Sequence, residues 1–394
     1  IPIEIMTAPW EPPPHTRKVP PAPRLRPSIA DTEQIVDILL AAKRPMVITG
    51  SLRSPDEYDA LIELAELLAL PVFESPSSDI GSFPKEHPLH AGFEPIQSLK
   101  DADLVLVVRS RTPWYPLAAG PTEAKVIVVD ELPFKPYMAH QDLRTDALLC
   151  GDTCAALRVI AETIRPVVQR EGPTRRTIEE RRILLHRMQK KACDRRAEAI
   201  VRARASPRIH PVALCAALGE ALPADTIYVD ETTVHLGLNR RYLDHRGAQS
   251  YVAMRSGLGQ GIGIALGVKL ARRERFVACL IGDGAFLYNP MIACFGMASE
   301  ARVPLLIVIY NNHGYRSMRD SQIACYPDGI GVRNDLFYGE PIHGIDYEAL
   351  IRPFGGFGIN VEDPAALVPA LEHARRAVLE GTIAVVNVQV TDTD

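Results

Sequence analysis

The sequence predicts an α/β protein made of two doubly wound parallel-sheet domains. Helix-patterned stretches alternate with short apolar runs along most of the chain, as in a parallel sheet covered by helices on both faces. The runs themselves, such as “VPLLIVIY”, have the length of buried strands. Two of them end in “GDG” and “NNHG”, turns that are not needed merely to reverse the chain.

In chain order, the opening “IPIEIMTAPW” is an apolar segment resembling a strand from mid-domain, with neither an initiator Met nor a signal-peptide pattern. It implies residues missing upstream, or a chain cut from something longer. Residues 9–27 are too proline-rich for helix or sheet and should run as an extended linker, so that 1–27 hold a residual strand and a Pro-rich linker. The helix “DTEQIVDILLAAKR” then leads into the strand “PMVITG”, and “SPDEYDALIELAELLAL” into “PVFES”. The strands “DLVLVVRS” and “KVIVVD” and a helix over 151–164 complete a first domain spanning 28–165.

Residues 166–208 are strongly charged, and the interleaved acids and apolar residues describe a solvated linker helix rather than a nucleic-acid arm. His186 within it is expected at the surface. The second domain occupies 209–394. Helix “PVALCAALGEAL” feeds strand “TIYVD”, followed by the glycine segment “SGLGQGIGIALGVKLA”, strand “FVACLIGDG”, a helix after Pro290 and strand “PLLIVIYNN”. A mostly irregular loop, the helix “DPAALVPALEHARRAV” and the strand “TIAVVNVQV” finish it. No repeat at solenoid spacing is present.

The 394 residues suffice for two or three domains with sizeable cores. A formal net charge of −4 and a pI near 6.3 give no global field for nucleic acid or an anionic membrane. No apolar run approaches the roughly 20 residues of a membrane span. Seven cysteines without a C-x-x-C pair are expected as buried thiols, which makes a cytoplasmic protein the expectation.

In open parallel sheets, ligands sit outside the carboxyl ends of the strands. Three such ends carry informative residues: “DETT” at 230–233, “GDG” at 282–284 and “NNHG” at 311–314. Glycines beside Asp283 let the backbone approach a diphosphate, and a following helix start adds donors and a favourable dipole. Mg2+ takes near-octahedral oxygen ligands, commonly one carboxylate with carbonyls, water and phosphate oxygens. Asp283, an Asn side chain and a loop carbonyl supply such a set. An isolated Asp-Gly is usually only a turn. The pair, with 26 residues between Gly284 and Asn311 and strands on both sides, is far more specific.

That spacing resembles the cofactor motif of the thiamine diphosphate (ThDP) enzymes. Over about residues 1–390 the chain is similar to the middle and diphosphate-binding domains of the benzoylformate decarboxylase and acetolactate synthase group, lacking most of the pyrimidine-binding domain. The stretch “LPVFESPSSDIGSFPKEHPLHAGF” resembles the group's middle-domain segment, and “GDGAFLYNPMIACF”, “NNHGYRSMR” and “CYPDG” resemble acetolactate-synthase-like members. The resemblance implies that Asp283, the Asn312 side chain and the Gly314 carbonyl hold Mg2+. It also implies that the backbone at Gly284 and Ala285, with Thr232 and Thr233, holds the diphosphate; Glu231 and Tyr315 join the cofactor-binding set.

In “MRSGLGQG”, Leu258 takes the place of the bulky residue that bends ThDP into its V shape. The Ser256 carbonyl would accept from the 4′-amino group and the Leu258 N–H would donate to the pyrimidine ring, which makes Ser256 and Leu258 the expected catalytic positions in this chain. An apolar wedge also makes physical sense, because ThDP reacts only when its 4′-imino nitrogen lies against the thiazolium C2 proton. Gly259, Gly263 and Gly267 equally suit a glycine-rich helix start, and no G-x-G-x-x-G register exists there.

Acetolactate synthases bind flavin in the middle domain. Here no glycine fingerprint follows “PMVITG”, and “RSRTPWYPL” stands where flavin-binding relatives carry a different loop, so no flavin is expected. His235, His313 and His343 are candidates to face substrate, with a surface turn favoured for His313. Arg316 and Arg319 could meet a carboxylate or cap a helix. The expected activity is that of a ThDP- and Mg2+-dependent lyase or ligase of 2-oxo acids, a decarboxylase or a carboligase. The alternative is a non-catalytic ThDP-fold subunit serving as scaffold or regulator. In the family the cofactor lies between domains of different chains, and a glutamate of the pyrimidine domain protonates its ring. Glu4 and Glu11 flank a strand end and a proline tract, so that glutamate is expected on a partner chain, a separate subunit or a severed N-terminal piece, in a hetero-oligomer built on a dimer or tetramer.

Overall fold

The structure, a computed structural model, describes residues 2–10, 20, 23–133, 143–254 and 257–391. The first sheet comprises Pro45–Thr49 (β1), Val72–Glu74 (β2), His90–Gly92 (β3), Leu104–Val108 (β4), Lys125–Asp130 (β5) and Ala147–Cys150 (β6), in the order β3-β2-β1-β4-β5-β6. The second comprises Ile227–Glu231 (β7), Tyr251–Ala253 (β8), Val277–Gly282 (β9), Leu306–Asn311 (β10), Phe357–Val361 (β11) and Ala384–Gln389 (β12), in the order β11-β12-β10-β9-β7-β8. Every pairing within both sheets is parallel.

Strand alternation divides each apolar run between two cores. Val47, Leu106 and Ile127 face the helices Ile29–Ala41, Pro55–Leu68 and Thr153–Gln169, while Ile48, Val107 and Val128 pack with Leu99 and Trp114 on the opposite side. In the second sheet Tyr228, Leu280, Val308 and Val386 join helices Pro211–Ala221 and Leu367–Leu379. Val229, Ile281, Ile309 and Val385 join Gly261–Ala271 and Met291–Glu300. Helix starts are where local chemistry allows them. Ser54 accepts from Glu57 N at 3.2 Å with Pro55 opening the first turn, and Asp152 accepts from Ala155 N at 2.9 Å.

The two domains are sewn together at the edge of the second sheet. Gly81 N donates to Tyr251 O at 3.1 Å and Ala253 N to Asp79 O at 2.8 Å, so residues 79–81 cover β8 and leave it no bare edge. Arg240 donates to the Ser75 carbonyl at 3.3 Å and lies over the Phe93 ring at 4.6 Å.

Several expectations are corrected. The opening segment is not a strand: Ile3–Met6 is one exposed helical turn behind Pro2. The region between Asn312 and β11 is not mainly irregular. It holds the helices Arg316–Cys325 and Ile330–Arg333 and the 3-10 stretch Tyr347–Phe354. The charged linker is, as expected, a solvated helix, Pro173–Arg204, of 32 residues burying only Ile178, Leu185 and Ala203. Most of the proline tract, and Ser256, lie outside the described residues. Among the described residues no helix is long and apolar enough to cross a membrane.

Candidate active site

In the second sheet the chain leaves β7 toward β8 and leaves β9 toward β10, on opposite sides. The crevice between the ends of β7 and β9 is therefore the topological switch point. Glu231 ends β7, Gly282-Asp283 ends β9, and Asn311-Asn312 ends the neighbouring β10. The three signals read from the sequence thus meet at one place.

Asp283 is buried. Its Oδ1 accepts from Gly284 N at 2.8 Å and its Oδ2 from Gly314 N at 2.9 Å. Burial pushes the carboxyl up to about 6 against the pull of these backbone donors. One terminal atom of the Asn312 amide lies 3.1 Å from the Gly314 carbonyl oxygen and 3.2 Å from Asp283 Oδ1. As nitrogen, that atom donates to both. After a half-turn of the amide it is oxygen, and three oxygens from carboxylate, amide and main chain converge on one point. Neutral N–H donors leave the buried carboxylate charge uncompensated, and the convergent oxygens suit a hard cation. Among the described residues no three His, Cys, Asp or Glu side chains gather as a metal site; this set has one carboxylate, and the rest of its donors are neutral oxygens.

The surrounding backbone is tightly constrained. A Cβ on Gly284 would lie 2.5 Å from the Tyr315 ring, so only glycine lets that ring rest on the loop. Thr233, a β-branched residue, has φ of 46°, a strained left-handed conformation of the kind found at functional turns. Its side chain is exposed, whereas Thr232 turns inward: Thr232 N and Oγ1 donate to Asp230 Oδ1 at 2.9 and 2.7 Å. Asp230 also accepts from Asn239 Nδ2 at 2.9 Å and from the Tyr251 hydroxyl at 2.6 Å, and its burial raises its pKa.

Glu231, expected beside the cofactor, instead directs its carboxylate to the start of helix Gly261–Ala271. Ala285 is buried, and its carbonyl accepts from Asn289 Nδ2 at 2.9 Å. Leu258 sits in the loop before that helix and is 44% exposed rather than packed into the core. His235 is buried 5.3 Å from the Tyr310 ring, on the core side of the sheet. His313, at φ 63°, and His343 are exposed. Arg316 pairs with Asp320 at 2.8 Å, and Arg319 pairs with Asp335 at 3.3 Å while lying over the Phe337 ring.

Sequence reasoning named Asp230 only as part of the 230–233 strand end, and missed Asn239, Tyr251 and Asn289. Each is an ordinary residue type whose partner lies on another element. Only the position of Asp230 beside Glu231 at a strand end offered a signal.

Fold and site together define a doubly wound α/β protein whose polar residues gather at the carboxyl edge of the second sheet. The chain belongs to the thiamine pyrophosphate enzymes: residues 32–160 match the family's central domain and residues 234–388 its C-terminal TPP-binding domain. It is 26% identical over 400 residues to human 2-hydroxyacyl-CoA lyase 2, covering 98% of this chain and 59% of that protein. To benzoylformate decarboxylase of Pseudomonas aeruginosa it is 26% identical over 368 residues, covering 89% and 62%. The fold is that of the ThDP-dependent 4-hydroxybenzoylformate decarboxylase of Rhodococcus jostii RHA1, with TM-score 0.73, 22% identity, and 96% of this chain and 66% of that one covered. The chain thus spans about three-fifths of the curated relatives it matches.

Proposed function

We propose that this chain is the diphosphate- and Mg2+-binding part of a ThDP enzyme that makes or breaks the C–C bond beside the carbonyl of a 2-oxo acid. The convergence of Asp283, Asn312 and the Gly314 carbonyl carries this reading. Those three would hold Mg2+; the backbone at Gly284 and Ala285 and the exposed Thr233 would hold the diphosphate. When bound, ThDP supplies an electron sink next to the substrate carbonyl. The residues of this chain anchor and orient it, with Leu258 as the apolar wedge. No flavin is proposed: at the switch point of the first sheet, Arg109 pairs across with Glu57 at 3.5 Å and Glu131 at 3.5 Å. Of the seven cysteines expected as buried thiols, four are buried, while Cys150 and Cys325 are exposed and Cys193 is half-buried; a cytoplasmic location is proposed from the sequence expectation alone.

The site is proposed to be completed by a pyrimidine-domain polypeptide that brings the ring-protonating glutamate and shuts out water. Exposed apolar side chains in and around the site favour such a cover: Leu258, Tyr288, Ile292, Met318, Tyr326 and Ile330. The test is to purify the chain alone and together with a pyrimidine-domain polypeptide, and to follow consumption of benzoylformate and pyruvate. We expect no turnover by the chain alone and turnover by the pair. Full turnover by the chain alone would overturn the partner, and ThDP binding without turnover by the pair would favour the scaffold reading.

A further inference from the structure

Two consecutive acids end β7, and strand alternation sends them to opposite faces of the sheet. Asp230 turns with Tyr228 toward one core and fastens the Thr232 turn, as described above. Glu231 follows Val229 to the other face. There Oε1 accepts from Gln260 N at 2.9 Å, and Oε2 accepts from Gly261 N at 3.0 Å and from Asn289 Nδ2 at 2.8 Å.

Helix Gly261–Ala271 has no side-chain cap of its own, because Gln260 makes no capping bond. Its first N–H groups are instead accepted by side chains from two other elements, the end of β7 and the residue that closes helix Asp283–Tyr288. Glu231 takes two of them, and Asn289 Oδ1 takes Ile262 N at 3.1 Å. Asn289 Nδ2 also donates to the Ala285 carbonyl, which ties this cap to the helix that begins at Asp283. Both side chains are almost fully buried, 1% exposed for Glu231 and 4% for Asn289. The loop ahead of the helix is gripped from the other side as well. Gly259, at φ 92°, passes so close to Tyr288 that a Cβ would lie 2.4 Å from its carbonyl oxygen. Leu258, 44% exposed, immediately precedes both grips.

We propose that Glu231, acting through Asn289, is a positioning residue that sets the height of the Leu258 loop over the crevice. It governs how the cofactor is bent rather than how tightly its diphosphate is held. Asp283 receives its hydrogen bonds from Gly284 and Gly314, neither of which Glu231 touches. The kinetic part of this inference rests on the ThDP reading; the mechanical part does not.

The test uses Glu231→Gln, which keeps the shape but puts an NH2 where an oxygen now accepts, so a donor faces a donor in either orientation. Hydrogen–deuterium exchange of the cofactor-free protein should show the amides of residues 257–262 exchanging at least tenfold faster than in the parent, with helix Leu367–Leu379 unchanged. In the active assembly, kcat at saturating ThDP and Mg2+ should fall at least tenfold while ThDP affinity stays within threefold. Unchanged exchange would overturn the clamp. Faster exchange with unchanged kcat, or an equal loss of affinity, would overturn the positioning role. If the parent binds no ThDP, the proposed function fails and the positioning role falls with it, whatever the exchange shows. Should Glu231→Gln fail to fold, Asn289→Ser removes the bridge but leaves both main-chain bonds of Glu231. It should give the same split to a smaller degree, and parental behaviour in both measurements would overturn the proposal.

Discussion

Asp283 is buried with backbone donors on both oxygens, and burial pushes its carboxyl up to about 6. The Asn312 amide can present either end toward Asp283 and the Gly314 carbonyl, and the proposed cation would neutralise the carboxylate. The sequence itself offered Asp283, an Asn side chain and a loop carbonyl at fixed distances from two glycine turns, because that chemistry is local; the choice of Asn312 and Gly314 came from the family resemblance. The roles of Asn289 and Asp230 were not legible, since the partners that fix them include Glu231, 58 residues from Asn289, and Tyr251, 21 residues from Asp230. Leu258 belongs to the same scale. Leu258→Ala should leave ThDP affinity within about twofold and lower kcat about tenfold, a loss of roughly 1.4 kcal/mol of transition-state stabilisation. Steady-state kinetics with varied ThDP checks it. A raised KM for ThDP with unchanged kcat would contradict the wedge.

At the scale of elements, the long apolar strands and their helices were readable from period and length, because both faces of β1, β4, β9 and β10 are buried. The short strands His90–Gly92, Tyr251–Ala253 and Phe357–Val361 were not, since three to five residues carry too little pattern and their pairing defines them. Helix Arg316–Cys325 buries none of its residues, so the sequence there has no apolar face to read. The junction of residues 79–81 with β8 encloses His245, stacked on Tyr251 at 5.1 Å and facing Lys85, Glu74, His90 and Arg240. Burial pushes its imidazole from 6.5 down to about 3, so the folded chain resists a proton that the unfolded chain accepts. Its contribution to stability is full above pH 6.5 and falls as pH drops from 6.5 toward 3. His245→Phe should therefore flatten the loss of thermal stability between pH 7 and 5. Melting curves of equal slope against pH in variant and parent would contradict this.

At the scale of the whole molecule, two α/β domains are joined by a 32-residue helix and a main-chain seam, with the crevice opening beside exposed apolar side chains. The architecture was legible because each domain repeats one buried-strand rhythm. The seam was not, because Asp79 and Gly81 meet β8 across about 170 residues of chain. The central claim is that this surface holds ThDP through a cation at Asp283. Calorimetric titration of ThDP into the protein, with and without Mg2+, tests it most directly when the parent is compared with Asp283→Ala, the fold of each checked by circular dichroism. The account predicts Mg2+-dependent binding in the parent and its loss in a folded Asp283→Ala protein; equal ThDP affinity in the two would contradict it.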